Sequence, residues 1–194
     1  MKVVLATTSK FKNQILDNVG IKHSMVESNF NEDLVIEKDV YEYVKKLAFG
    51  KANSVKDKVN NSIIIGLDTI NYVNGIIEEK PKDLNEARKS INMCKNNTTS
   101  VITGICIINQ VTNKIITDYA ETKVSLRDIS NEDITYYLEN EPNVLFASGF
   151  VIETIMSNFI DKIEGSYYNI LGVPVEVIYK YINNMGYSLK DLEE

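Results

Sequence analysis

Cysteine, histidine, arginine and proline are all scarce in this 194-residue chain, and each scarcity narrows what it can do. The two cysteines, Cys94 and Cys106, fit no metal-binding or disulfide spacing. A single histidine, His23, argues against a zinc site built on imidazoles. Only Arg88 and Arg127 supply guanidinium groups, against 19 lysines. Anion recognition must therefore rest on lysines, backbone N–H groups and hydroxyls, and lysine binds phosphate as a point charge without arginine's bidentate fork. Long apolar runs are missing too: Val3–Ala6 and Ile63–Ile65 fall far short of the roughly 20 residues a membrane span needs. No secretory signal is visible, which makes the cytoplasm the expected location. No linker rich in proline, glycine or serine and no repeat divides the chain, so residues 1–194 read as a single domain.

What is present is ordinary for a globular protein that buries a core: 44% hydrophobic and 25% charged residues. A net charge of −6 disfavours a general nucleic-acid binder but leaves room for a local basic pocket. Strands and helices alternate. Lys2–Ala6 reads as a short buried strand, Thr7-Thr8-Ser9 as a polar turn, and Lys10–Asn18 as a helix with Phe11, Ile15 and Leu16 on one face. Asp39 with Glu42, Asp83 with Glu86, and Ser130 with Asp133 have the spacing of capping boxes and open helices near 40–58, 84–95 and 131–139. Ser62–Ile70 is β-branched and continues through Val73 to Asn74-Gly75, a strong hairpin signal, with Ile76-Ile77 returning. A longer hairpin pairs Ser100–Gln110 with Ile115–Leu126 across Thr112-Asn113. Gly172-Val173-Pro174 opens a last helix. The order predicts an α/β fold whose mixed sheet carries long hairpins and is flanked by helices.

Several segments have the residue types that phosphate chemistry uses. A strand feeding Thr7-Thr8-Ser9 into a helix sets hydroxyls and N–H groups at a positive helix end, with Lys10 and Lys12 just inside; the alternative is a plain hydroxyl cap with solvated lysines. Asp68, in Gly66-Leu67-Asp68-Thr69, interrupts an apolar strand, where a carboxylate is costly to bury unless it is paired or ligates a cation; an edge strand facing water would also accommodate it. Glu32 lies in an acidic loop and Lys51 on the helix after it, and a pair such as Glu32 and Asp68 suits Mg²⁺. Lys80 precedes Pro81, so its backbone is extended and its side chain can be aimed. Glu164 to Pro174 is a turn rich in Gly, Ser and Tyr before a helix, whose simplest role is to hold that helix in place.

Taken in order, these segments resemble the Maf family of nucleotide pyrophosphatases, which shares a fold group with the inosine triphosphate pyrophosphatases. Leu5-Ala6-Thr7-Thr8-Ser9 through Leu16 resembles the family's opening Leu-Ala-Ser-x-Ser-Pro-Arg-Arg stretch, Gly66-Leu67-Asp68-Thr69 its Gly-Ala-Asp-Thr, and Glu79-Lys80-Pro81 its Glu-Lys-Pro. Thr103-Gly104 matches a Thr-Gly pair, and Glu121-Thr122-Lys123-Val124 with Leu126-Arg127 is similar to Thr-x-Val-x-Phe-Arg. Gly165-Ser166-Tyr167 and Asn169 to Pro174 closely resemble Gly-Ser-Tyr-x-Asn-Val-Val-Gly-Leu-Pro.

The resemblance implies an elongated α/β domain with a central cleft that two lobes can flank. It also implies hydrolysis of a nucleoside triphosphate, dTTP- or UTP-like or modified, to the monophosphate and pyrophosphate with a divalent metal, Mg²⁺ or Mn²⁺. By position, Asp68 is the catalytic acid and a metal ligand, Glu32 its partner carboxylate, and Ser9, Lys12, Lys51 and Lys80 the triphosphate contacts. Base selection falls to the positions of Phe11, Thr69 and Glu153. Two of these depart from the family: Phe11 stands where it has an arginine, and Glu153 where it has a glutamine. Leu145-Phe146 also replaces an Asp-Lys pair. A glutamate beside a triphosphate repels it unless metal or protonation intervenes. The family often forms homodimers. The alternative function is a catalytically weakened nucleotide-binding relative that acts through a protein partner in cell-division control.

Overall fold

The computed structural model describes residues 1–193. Seven strands form one sheet: β1 (Lys2–Ala6), β2 (Ser24–Val26), β3 (Ser62–Val73), β4 (Ile76–Glu78), β5 (Thr98–Asn109), β6 (Lys114–Leu126) and β7 (Ile160–Glu164). Their order is β2-β1-β3-β5-β6-β7, with β4 paired to β3. β1 runs parallel to β2 and β3, whereas β3–β4 and β6–β7 are antiparallel. The helices are α1 (Lys10–Asn18), α2 (Val40–Ser54), α3 (Leu84–Cys94), α4 (Asn131–Asn140), α5 (Tyr167–Ile170) and α6 (Val175–Asn184). The chain therefore adopts the expected α/β class with a mixed sheet. The β3–β4 turn is the predicted one: Asn74 and Gly75 take φ of 52° and 82°, the left-handed pair that a two-residue hairpin of this twist requires.

The chain divides into two compact units. The first holds Met1–Thr69, Ile102–Ala120 and Ser166–Glu194; the second holds Ile70–Val101 and Glu121–Gly165. In the first unit, alternation along β3 sorts side chains to opposite faces. Ile63, Ile65 and Leu67 join Leu5, Ile105 and Ile107 against Ile15 and Leu16 of α1 and Ile178 and Ile182 of α6. Ile64, Cys106 and Ile108 turn the other way, onto Ala48 and Ala52 of α2 and the adjoining Val55. Two glycines let α2 lie unusually close. A Cβ on Gly66 would stand 2.2 Å from the Ala48 carbonyl oxygen, and one on Gly104 2.0 Å from that of Val44.

In the second unit, α3 buries Ala87, Ile91 and Cys94 and α4 buries Ile134, Tyr137 and Leu138. The Arg88 guanidinium donates to Thr135 Oγ1 at 2.9 Å, joining the two helices. All three acidic or hydroxyl caps form: Asp39, Asp83 and Ser130 each accept from N–H groups of the first turn. Glu86, however, reaches back to the Lys82 N–H instead of that of Asp83.

α2 ends at Ser54, short of the expected 58, and a 3-10 turn over Lys56–Lys58 follows. The Gln110 amide donates to the carbonyls of Lys56 and Val59, so a side chain from the turn after β5 serves the backbone that a longer helix would have used. β2, β7 and the short α5 are additional to the sequence reading. Among the described residues no helix is long and apolar enough to cross a membrane.

Candidate active site

Strand order locates a crevice before any side chain is considered. From β1 the chain crosses over α1 to β2 on one side, then over α2 to β3 on the other. α1 packs on one sheet face and α2 on the opposite face. Such a reversal opens a gap beyond the carboxyl ends of the parallel strands, where open α/β sheets bind ligands. Three segments converge there: the Thr7–Ser9 turn after β1, the loop after β2 that carries Glu32, and Asp68-Thr69 beyond the β1-paired stretch of β3.

Asp68 is only 8% exposed and lies on a strand inside the sheet, which settles against the edge-strand alternative. Its partner is Lys51. On α2 the buried positions 44, 47, 48, 52 and 55 form the stripe that faces the sheet, and Lys51 falls within that stripe. Its ammonium donates to Asp68 Oδ1 and pairs with Glu32 Oε1 at 2.9 Å, so one cation bridges the two predicted carboxylates. Burial by itself would lower the Lys51 pKa. The Asp68 charge and the hydrogen bonds to Asp68 and Glu32 outweigh it and raise the pKa above the usual lysine value. Tyr43, which no sequence signal singled out, feels the same charges: partial burial, then Asp68, Glu32 and Asp33, raise its phenol.

Thr69 points to the opposite face. Its Oγ1 lies 3.0 Å from Thr103 Oγ1 on β5, and a Cβ on Gly172 would come within 2.9 Å of it and 3.3 Å of Lys12 Cε. Gly172 has φ of 76°, so glycine is favoured twice over, by conformation and by space. The Lys12 ammonium donates to the Leu67 carbonyl at 3.4 Å, immediately before Asp68. Ser9 caps α1 by accepting from the Lys12 N–H at 3.3 Å, and Thr7 Oγ1 accepts from the Ser9 N–H. The hydroxyl cap thus forms, and the Lys12 side chain beside it turns onto β3. Phe11 is exposed.

The other two predicted residues, Lys80 and Glu153, belong to the second unit and are exposed. Lys80 follows Glu78, which is buried opposite Asn71 in the β3–β4 ladder and accepts from Ser90 Oγ. The loop leading to Glu153 is tied down twice: Asn71 donates to the Ser148 carbonyl, and the Val151 N–H donates to Tyr137 Oη at 3.0 Å. Partial burial, then the Glu141 carboxylate, raise the Glu153 pKa above the usual range.

Among the described residues no three His, Cys, Asp or Glu side chains assemble into a metal cage. Mg²⁺ needs none, because it binds through one or two carboxylates and fills its remaining positions with substrate phosphates and water. Asp68 and Glu32, hard oxygen donors sharing one ammonium, fit that description. The second-unit anchors Asn71 and Tyr137 went unnoticed in the sequence, since nothing in an isolated Asn or Tyr announces a distant loop carbonyl or N–H.

The chain matches known proteins over nearly its whole length. The family described as Maf-like protein matches residues 2–185. The chain is 34% identical over 191 residues to the dTTP/UTP pyrophosphatase of Clostridium perfringens (strain SM101), covering 97% of this chain and 100% of that protein. It is 38% identical over 191 residues to the dTTP/UTP pyrophosphatase of Pyrococcus furiosus, covering 97% of each. With the dTTP/UTP pyrophosphatase of Clostridium novyi the identity is 35% over 191 residues. The chain belongs to the Maf-like protein family.

Proposed function

We propose that this protein is a nucleotide pyrophosphatase that hydrolyses dTTP, UTP or a closely related nucleoside triphosphate to the monophosphate and pyrophosphate. The observation that carries the reading is the Lys51 ammonium held between Asp68 and Glu32 at the strand switch point. The names borne by full-length relatives support the substrate class.

The chemistry follows from the residues. Water adds at phosphorus while the phosphoanhydride bond between the α and β phosphates breaks. Asp68 takes the proton from that water, and pyrophosphate leaves with the bonding electrons. The Lys51 ammonium donates to Asp68 Oδ1 and so orients the carboxylate that accepts this proton. The triphosphate brings several negative charges, which Lys12, Lys51 and Lys80 offset as point charges, with Ser9 adding a hydroxyl. Phe11, Thr69 and Glu153 are assigned to the base in this reading. A divalent cation held by Asp68 and Glu32 would supply further charge neutralisation at the phosphates. One Maf-like domain performs the reaction, in the cytoplasm, a placement that fits two free and buried cysteines.

The test is product analysis across the common nucleoside triphosphates and several modified ones, with Mg²⁺ and separately Mn²⁺. Equimolar monophosphate and pyrophosphate are expected. Orthophosphate as the sole phosphate product, or no turnover with nucleotide binding intact, would overturn the reading, the latter in favour of a binding relative.

A further inference from the structure

Thr103 is completely buried, and among the described residues the one hydrogen-bond partner of its hydroxyl is Thr69 Oγ1, 3.0 Å away. A hydroxyl has one proton and two lone pairs, and the two are unequal when water is excluded. Leaving a buried donor without an acceptor is costly, whereas a spare lone pair is tolerated. Thr103 therefore spends its proton on Thr69. The Thr69 hydroxyl, only half-buried, has its own proton left over, and that proton must point away from Thr103. On that open side stands Gly172, whose bare backbone leaves room that any Cβ would close at 2.9 Å from Thr69 Oγ1. Beside it runs the Lys12 side chain, another donor.

We propose that Thr103 is a positioning residue that fixes the polarity of Thr69, making its hydroxyl an outward hydrogen-bond donor for an acceptor oxygen of the bound nucleotide. This deepens the functional reading above and rests on it for the identity of the ligand. The acceptor is a phosphate oxygen or a keto oxygen of the base; an exocyclic amino group, itself a donor, is rejected at this point.

The test uses Thr103→Val, which keeps the shape and deletes the hydroxyl, and Thr103→Ser, which restores it. Thr69→Val and the Thr69→Val/Thr103→Val double variant complete the cycle. Melting temperatures of all four confirm folding. kcat, KM and nucleotide Kd are measured with UTP and CTP, which differ by keto against amino at one ring position. Thr103→Val is expected to lower kcat/KM or raise Kd about three- to tenfold, Thr103→Ser to recover it, and Thr103→Val to add nothing in the Thr69→Val background. Equal losses for both nucleotides place the acceptor on the phosphates, and a loss confined to UTP places it on the base. Wild-type values in Thr103→Val, failure of serine to rescue, or an undiminished loss in the Thr69→Val background would overturn the proposal. A wild type that binds nucleotide without releasing pyrophosphate would refute the catalytic reading alone, and the Kd pattern would still decide the role of Thr103.

Discussion

The approach of α2 to the sheet is set by two missing side chains, and restoring one methyl tests how much depends on it. In Gly66→Ala the new Cβ would lie 2.2 Å from the Ala48 oxygen and 2.8 Å from the Ala52 nitrogen. Both are backbone atoms of α2, so no rotamer change relieves the clash. Ordinary contact requires the helix to withdraw by roughly 1 Å or more. Overpacking of this kind costs about 1–3 kcal/mol, or roughly 3–10 °C of melting temperature in a chain this size. Lys51 rides on the same helix, and a 1 Å misplacement of a catalytic group can cost about 100-fold in rate. Gly66→Ala should therefore lose stability and kcat/KM together, and Gly104→Ala, at 2.0 Å from the Val44 oxygen, should behave alike. Gly50→Ala is the internal contrast: the atoms nearest its Cβ would be those of the Phe30 ring, at 2.3 Å, a side chain that can swing aside. Thermal melts and steady-state pyrophosphate release on the three variants decide it. Gly66→Ala with an unchanged melting temperature, or one that melts early yet turns over at the wild-type rate, would refute the link between the glycine seam and the site.

Other perturbations follow from the same structure. Lys51→Met leaves the buried Asp68 carboxylate without its counter-charge and should cost about 3 kcal/mol in urea denaturation, much of which the double variant Lys51→Met/Asp68→Leu should recover by removing both charges. Burial pushes the Cys94 thiol to about 11, the Cys106 thiol to about 12 and the Tyr137 phenol to about 12. The unfolded chain loses these protons from about pH 9 while the native state retains them, so stability should fall steadily between pH 9 and 11; urea midpoints that stay flat over that range would contradict the assignment. The raised pKa of Glu153, from partial burial and then Glu141, means that its charge is shed at a higher pH than that of an ordinary carboxylate. Glu153→Gln should then raise kcat/KM for the triphosphate at neutral pH and converge on the wild type as pH falls, whereas a constant ratio across pH would remove the Glu153 charge from substrate binding.

Much of this was legible in the sequence because it depends on local patterns. The β-branched run of Ser62–Ile70, the Asn74-Gly75 turn and the three caps each specify an element from a few adjacent residues. Asp68 announced its need for a partner, because an acid inside a β-branched run must be compensated. Which partner was harder. Lys51 is 17 residues upstream in sequence, and only its place in the stripe of Val44, Leu47, Ala48, Ala52 and Val55 marks it as facing the sheet. The expected α2 overshoots because Val55 and Val59 continue an apolar spacing, while the Gln110 amide that takes up the Lys56 and Val59 carbonyls comes from the turn after β5, far away in sequence. β2 and β7 have three and five residues; Ser24–Val26 is too brief for a period, and Ile160–Glu164 is an exposed, charged strand. The division into two units leaves no trace in composition because three of its four boundaries fall inside β3, β5 and β6, and the fourth falls at the short Gly165-Ser166 turn. The Thr69–Thr103 pair is invisible for a related reason: two threonines 34 positions apart become neighbours only once the strand order is known.

Asp68 is the group proposed to take the proton from water, and Asp68→Asn isolates that role by keeping the shape and removing the negative charge. Pyrophosphate release from dTTP and UTP with Mg²⁺ is measured for wild type and variant side by side, with matched melting temperatures as the check on folding. Loss of a general base predicts a fall of about 10²–10⁴-fold in kcat with the product pattern of the wild type otherwise intact. A folded Asp68→Asn protein that releases pyrophosphate as fast as the wild type would contradict the account.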